Sequence, residues 1–169
     1  VASIIVFYLL AKELFKNSSA RFIATTFYSV MFAVPILEGN IANAENFMAL
    51  PILAAFYLAI LKKNSFLLMA LSGMLLSIAF LIKIVALFDF MALIAAIFVL
   101  KFSENLFFGK ESIKKELKKL ISILKQEIIL FISFIVPILL TVLFFAVHGA
   151  FSDFWRAVLS QNVGYVGHG

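Results

Sequence analysis

The chain has 169 residues, of which 64% are hydrophobic and 14% charged, with a mean hydropathy of +1.14 and a net charge of +5. Soluble domains are usually about 45–50% apolar and about 25% charged, so a water-soluble fold of this length would expose large apolar patches. Without cysteine there is no disulfide framework and no thiolate metal site. The composition predicts an all-α transmembrane helix bundle that contacts membrane lipids, and it argues against nucleic acid as a partner.

Three apolar stretches separated by polar residues begin the chain. The first, from Val1 to about Leu14, is shorter than the roughly 20 residues of a membrane-crossing helix. We therefore expect a helix that is truncated because the chain is a fragment of a longer protein. The next two predicted spans are residues 22–37 and 47–61, with polar turns at 16–21, 38–46 and 62–64.

The 35 residues from 66 to 100 are almost continuously apolar. A single helix of that length would be about 52 Å long, whereas the hydrocarbon core of a bilayer is about 30 Å thick. Lys83 interrupts the run. We therefore expect the chain to reverse at Lys83 and to form two spans, residues 66–82 and 84–100.

Six lysines alternate with apolar residues at helical spacing between residues 110 and 125, which predicts a basic amphipathic helix on the membrane surface. A further span, 128–147, contains Pro137. A short interfacial helix is then predicted from three aromatic residues, Phe151, Phe154 and Trp155. In total we expect about six membrane segments in a single membrane domain over residues 1–169.

The distribution of charge predicts the topology. Lysine and arginine prefer the cytoplasmic side of a membrane. If the chain reverses at Lys83, twelve of the fourteen basic residues fall on one side. The other side holds Lys83 and Arg156 with the acidic residues Glu38 and Glu45. This predicts a multi-pass protein of the plasma (inner) membrane whose acidic loops lie on the outer face.

The loop before the third span is the first candidate site. Carboxylates and carboxamides at the mouth of a span can ligate a divalent cation, hold sugar hydroxyls or supply a general base. A structural role suits the same residues, with Asn43 or Asn46 capping the helix and Glu45 favoured by its dipole. The residues concerned are Glu38, Asn40, Asn43, Glu45 and Asn46.

Lys83 is the second candidate site. A lysine at mid-membrane costs about 2.5–3.5 kcal/mol on insertion scales. A lipid phosphate at headgroup depth would be a suitable anionic partner. Two structural roles are the alternatives: Lys83 extends from a helix end to the interface, or it pairs with Asp89.

The C-terminal segment provides two further candidates. Arg156 can contact a phosphate but serves equally well as an interfacial anchor, and Tyr165 is a candidate substrate contact. His148 and His168 lack metal-ligand spacing, so we expect ordinary loop histidines. The chain contains no Walker loop, Gly-rich dinucleotide motif or HExxH motif, which excludes a soluble nucleotide-dependent domain in this segment.

Several motifs between residues 20 and 100 resemble those of a known family. Residues 21–24, Pro35, residues 43–47 and residues 71–83 look like the polyprenyl-phosphate-sugar-dependent membrane glycosyltransferases of the GT-C fold. These include the protein O-mannosyltransferases and aminoarabinose transferases. Their pattern is an acidic residue in a short outer loop, then a helix reading roughly G-x-L-x-G-L-A-F-L-T-K. This chain has Ile84 where the family often has Gly or Pro.

The resemblance implies inverting transfer of a hexose or pentose from a polyprenyl-phosphate carrier to a glycan, lipid or protein acceptor on the outer face. It implies that Glu45 is an active-site acid and that Lys83 contacts the carrier phosphate. The family's main catalytic acid usually lies in the first outer loop, which would precede Val1. We therefore expect the fragment alone to be inactive.

A multi-pass transporter or a flippase for lipid-linked glycans is the alternative function. Such proteins place ionisable residues near the bilayer midplane on discontinuous helices. Lys83, Asp89 and Pro137 would then line a central cavity. The depth of the ionisable residues discriminates between the two functions.

Overall fold

The computed structural model describes residues 1–34, 43–61, 65–106 and 113–160, without the side chains of residues 101–116, 119, 159 and 160. Within these ranges the regular structure is entirely helical, which confirms the all-α part of the predicted fold class. The helices are α1 (Ala2–Leu14), α2 (Ser18–Ala33), α3 (Ala44–Ile60), α4 (Phe66–Ile82), α5 (Ala86–Leu106), α6 (Ile113–Val147) and α7 (Phe151–Trp155), followed by a π-helical turn, Arg156–Ser160.

Two asparagines fix the starts of α2 and α3. The Asn17 side chain accepts a hydrogen bond from the Ser19 backbone N–H at 2.8 Å, and α2 begins four residues before its predicted start. The Asn43 side chain accepts from the Asn46 backbone N–H at 3.0 Å, and α3 begins three residues early. Because a cap satisfies a donor that the first turn leaves unpaired, these polar residues lengthen the helices instead of forming loops.

The turn between α1 and α2 is closed by Arg21. Its guanidinium donates hydrogen bonds to the Phe15 carbonyl oxygen at 2.7 Å and to the Lys16 carbonyl oxygen at 2.8 Å. Farther along the two helices, the rings of Phe7 and Tyr28 stack with centroids 4.4 Å apart. Hydrogen bonds at the turn and an aromatic contact between the helices therefore hold α1 and α2 together as an antiparallel pair.

The chain breaks and reverses at Lys83, as the length argument predicts. Lys83 ends α4 in an extended conformation, with φ −153° and ψ 129°. Phe80 before the break and Phe90 after it both pack on Phe134, with ring centroids 5.6 Å and 4.1 Å away. In an unbroken helix, residues 80 and 90 would be about 15 Å apart along the axis. Their shared partner therefore requires α5 to fold back.

One continuous helix replaces the predicted surface helix and the span after it. α6 runs for 35 residues, about 52 Å, and continues through Pro137. The buried residues Ile123, Gln126 and Leu130 follow one another at helical spacing across the expected boundary. The separation of residues 110–125 from the following span is therefore wrong: the lysine-rich part from residue 113 onward forms the first turns of the same helix.

Among the described helices, one contains a stretch long and apolar enough to cross a bilayer, Leu120–Val147. Three more stretches are apolar but shorter: Ala44–Ile60, Phe66–Ile82 and Ala86–Leu100. A helix of 17 residues covers about 26 Å, at the lower limit for crossing the hydrocarbon core. Large apolar side chains are exposed on every helix from α1 to α7. This surface supports membrane association, and the arrangement with six spans stays a prediction.

α4 is the central helix of the bundle. It packs against α3 on one side and α6 on the other, α1 packs against α3, and α2 lies on α1. The core contains Met69 and Leu76 of α4, with Ala55 from α3, Leu93 from α5 and Leu130 from α6. Every helix from α3 to α6 therefore contributes to one continuous apolar core.

The backbones of α4 and α6 approach closely at Gly73. A Cβ atom at this position would overlap the Leu130 carbonyl oxygen and would lie 2.9 Å from the Cβ of Ser133. Ser72 and Ser77 of α4 are also fully buried. Small residues at an interface allow such close packing, which drives helix association where no water is present to supply a hydrophobic force.

A graded series at Gly73 tests this contact. We expect Gly73→Ala to lower the Tm and Gly73→Val to lower it further, since overpacking costs about 1–3 kcal/mol and Leu130 contributes a backbone atom that cannot rotate away. The measurement is thermal unfolding of the purified protein in detergent. Ala92→Val, at an exposed position of α5, is the control and should leave the Tm nearly unchanged. A Tm for Gly73→Val at or above that of the wild type would contradict the proposed contact.

Candidate functional site

The backbone of Lys83 is fixed at the pivot of the reversal. Its N–H donates to the Ala79 carbonyl oxygen at 3.0 Å and closes α4, while its own carbonyl oxygen accepts from the Ala86 N–H at 3.1 Å. The next two backbone contacts, Leu87 N–H to Ile84 O and Phe88 N–H to Val85 O, complete a tight turn. The end of α4 and the start of α5 therefore fix the position of the Lys83 Cα atom, from which the side chain extends.

Glu45 lies in the first turn of α3, two residues after the Asn43 cap. Its carboxylate forms an ion pair with the Lys83 ammonium, which donates a hydrogen bond to Glu45 Oε1. The two residues are 38 positions apart in the sequence. The start of α3 and the end of α4 therefore lie at the same end of the bundle, where Glu45 of the first candidate site contacts Lys83 of the second.

An apolar contact beneath the ion pair brings the helix ends together. Met48 of α3, Ala79 of α4 and Ala86 of α5 are buried against one another, with Ile52 and Phe80 packed around them. The alanine side chains leave room for three helix ends to converge. The polar groups of Glu45 and Lys83 consequently lie at the rim of a well-packed apolar cluster.

The pair faces outward from the bundle. The Lys83 side chain is 35% exposed and that of Glu45 is 54% exposed. The hydrogen bond from Lys83 holds the pKa of Glu45 below its ordinary value of 4.5, and a hydrogen bond from the backbone of Glu45 acts in the same direction. Glu45 is therefore ionised at neutral pH.

The other predicted site residues fall into three groups. Asn43 is the helix cap described above, so the structural alternative for it is confirmed. Arg156 is exposed at the end of α7, which packs on α6, and the described contacts do not bring it to Lys83 or Glu45. Glu38, Asn40 and Tyr165 lie outside the described residues. Their roles, and that of Asn46 beside the cap, stay predictions.

Asp89 and His148 do not join the pair. Asp89 lies in the first turn of α5, and Lys83 bonds to Glu45 instead of to it. His148 Nδ1 donates to the Phe144 carbonyl oxygen at 2.7 Å and so helps to end α6 before Gly149, whose φ is +71°. In the described parts of the chain, no three His, Cys, Asp or Glu side chains are grouped to hold a metal ion.

Two features of the site region were not anticipated from the sequence. The first is the buried contact of Met48, Ala79 and Ala86, which has no distinctive pattern because alanine and methionine are common in apolar helices. The second is the tight α4–α6 packing. The sequence does contain a sign of this packing, because Gly73 and Ser77 are small residues four positions apart. In the sequence analysis these residues are interpreted only as part of the family motif.

Comparisons of the chain with protein-family models, with curated proteins and with solved structures gave no match. The family resemblance therefore rests on the motifs quoted above.

A double-mutant cycle tests the ion pair. We expect Lys83→Met and Glu45→Gln to show a coupling energy of about 0.2–1 kcal/mol at pH 7, the usual range for exposed pairs. Because the pKa of Glu45 is lowered by folding, this stabilisation is present above pH 4.5 and is lost as the pH falls through the lower folded pKa. The measurement is denaturant unfolding in detergent at pH 7 and at pH 3.

The corresponding cycle with Asp89→Asn in place of Glu45→Gln is the control and should give no coupling with Lys83. A coupling that is equal at both pH values, or larger with Asp89, would contradict the assignment of Glu45 as the partner.

Proposed function

We propose that this chain forms the donor-binding part of a membrane glycosyltransferase, which transfers a sugar from a polyprenyl-phosphate carrier to an acceptor at the outer membrane face. The observation that supports this proposal is the ion pair of Lys83 and Glu45 at the helix ends that meet at the reversal. These two residues are the ones to which the resemblance to GT-C glycosyltransferases gives roles.

Lys83 would stabilise the departing carrier phosphate. A lysine ammonium has three donors, and Glu45 Oε1 uses one, so phosphate oxygens can bind alongside the carboxylate. As the bond between the sugar and the phosphate oxygen breaks, negative charge grows on the phosphate. An ammonium already fixed at that point stabilises the transition state more than the ground state.

Glu45 would orient the sugar, the acceptor or a divalent cation. It is ionised, and a carboxylate has several acceptor positions, so the ion pair leaves capacity for a sugar hydroxyl. Attack of the acceptor on the face opposite the departing phosphate inverts the configuration of the transferred carbon. The base that takes the acceptor's proton is not assigned to a residue of this chain.

The positions of the ionisable residues favour this function over a transporter or flippase. Lys83 and Glu45 lie at helix termini and are partly exposed, as expected for a pocket at the membrane interface. A transporter site would require discontinuous helices near the midplane. α6 instead continues unbroken through Pro137, so the residue cited for a broken helix does not support that alternative.

Transfer by the full-length protein in membrane vesicles tests the proposal. Polyprenyl-phosphate-linked mannose, glucose and a pentose, each labelled in the sugar, would be supplied in turn, and the release of polyprenyl phosphate would be measured. We expect Lys83→Ala to reduce release by about 100-fold or more, the usual effect of removing one group that stabilises developing charge. Glu45→Gln should also reduce release, whereas Lys83→Arg should retain part of it.

Lys12→Ala is the matched control, because Lys12 is an exposed lysine at the end of α1 and has no role in the proposed site. It should release polyprenyl phosphate at the wild-type rate. Movement of labelled donor across the bilayer with its sugar–phosphate bond intact would favour the flippase. Unchanged release by Lys83→Ala would refute the site.

A further inference from the structure

The first half of α6 has three distinct faces. Ile123, Gln126 and Leu130 are buried against the bundle. Lys118 and Lys125 are exposed and seven residues apart, so two helical turns place them on the same side. The third face is apolar and exposed, and it consists of Leu117, Ile121, Leu124 and Ile128.

The exposed apolar face continues into the membrane-crossing part of α6. Farther along the helix, Phe131, Ile132 and Leu139 are also more than half exposed. The apolar stretch Leu120–Val147 is 28 residues long, or about 42 Å. That length matches the roughly 40–45 Å of a bilayer with its headgroups, not the roughly 30 Å of its hydrocarbon core. At least one end of this stretch therefore extends beyond the hydrocarbon core to the depth of the headgroups.

The end of α6 that carries the lysines and the reversal at Lys83 lie at opposite ends of the helix bundle. α5 folds back from the reversal for 21 residues, about 31 Å. The six residues that connect it to α6 reach at most about 25 Å. α6 therefore starts away from the reversal and runs in the same direction as α4, so Lys118 and Lys125 approach the other leaflet.

We infer that the first half of α6 binds anionic phospholipid headgroups, with Lys118 and Lys125 contacting lipid phosphates and Leu117, Ile121 and Leu124 lying against the lipid. Charge complementarity supports an anionic occupant, because residues 110–127 contain six lysines and three glutamates. Continuity with the lipid-facing surface supports a lipid over a protein, since an acidic partner protein would have to cover an apolar face that extends into the bilayer.

Lipid-specific quenching at a single position tests this inference in the full-length protein. The 169-residue chain contains no cysteine, so Ile121→Cys introduces one label site in it for a fluorophore. The protein would be placed in nanodiscs of phosphatidylcholine with one fifth phosphatidylglycerol, and either lipid would be brominated in turn at equal mole fraction. We expect brominated phosphatidylglycerol to quench the fluorophore more strongly than brominated phosphatidylcholine.

The same measurement on Lys118→Gln/Lys125→Gln should abolish the preference for phosphatidylglycerol. Each lysine near an anionic surface contributes about 5-fold in affinity, and the two together about 30-fold. Lys12→Gln/Lys16→Gln removes the same charge at the α1–α2 turn and should keep the preference. With the label at Leu143→Cys instead, near the other end of α6, the quenching by each lipid should be the same in both double variants as in the protein with wild-type lysines.

Three results would overturn the inference. One is equal quenching by the two lipids in the protein with wild-type lysines. Another is a preference for phosphatidylglycerol that survives the loss of Lys118 and Lys125, or that falls equally in the Lys12 and Lys16 variant. The third is the absence of quenching by either lipid, which would mean that a protein, including a second copy of this chain, covers the face. None of these readouts involves sugar transfer.

Discussion

The architecture depends on the convergence of three helix ends around Met48, Ala79 and Ala86. That apolar contact holds the start of α3 level with the end of α4 and packs the start of α5 against both. The ion pair of Lys83 and Glu45 is too exposed to create this arrangement, because exposed pairs contribute little. The packing of the helix ends brings Lys83 and Glu45 together, and these two residues are the charged groups of the candidate site.

Much of the fold follows from the sequence because bilayer thickness limits helix length. That limit excludes a single helix over residues 66–100, the isolated charge of Lys83 locates the break, and α4 has the predicted bounds. The predicted starts of α2 and α3 are three to four residues late because the spans are counted from the first large apolar residue, whereas the caps Asn17 and Asn43 start the helices among the polar residues before it. The continuity of α6 was missed since a change from amphipathic to apolar composition alters the surroundings of a helix without breaking its backbone.

The candidate site was predictable only in its parts. The sequence identifies Lys83 by its isolation and Glu45 by the loop before a span, but the contact between them depends on how far α3 is shifted along α4. The packing of Met48 against Ala79 fixes that shift, and no pattern of hydropathy encodes it. The same limitation applies to Arg156, which lies on the predicted interfacial helix but is not brought to the pair.

The closed turn at Arg21 has a consequence for how the chain enters a membrane. Its guanidinium bonds the carbonyl oxygens of Phe15 and Lys16 at the end of α1, where the helix dipole is negative. The first two helices thus form a hairpin whose tip holds a permanent charge. A permanent charge is costly in the hydrocarbon core of a bilayer, so a membrane can accept α1 and α2 only as a pair whose connecting turn remains at the surface.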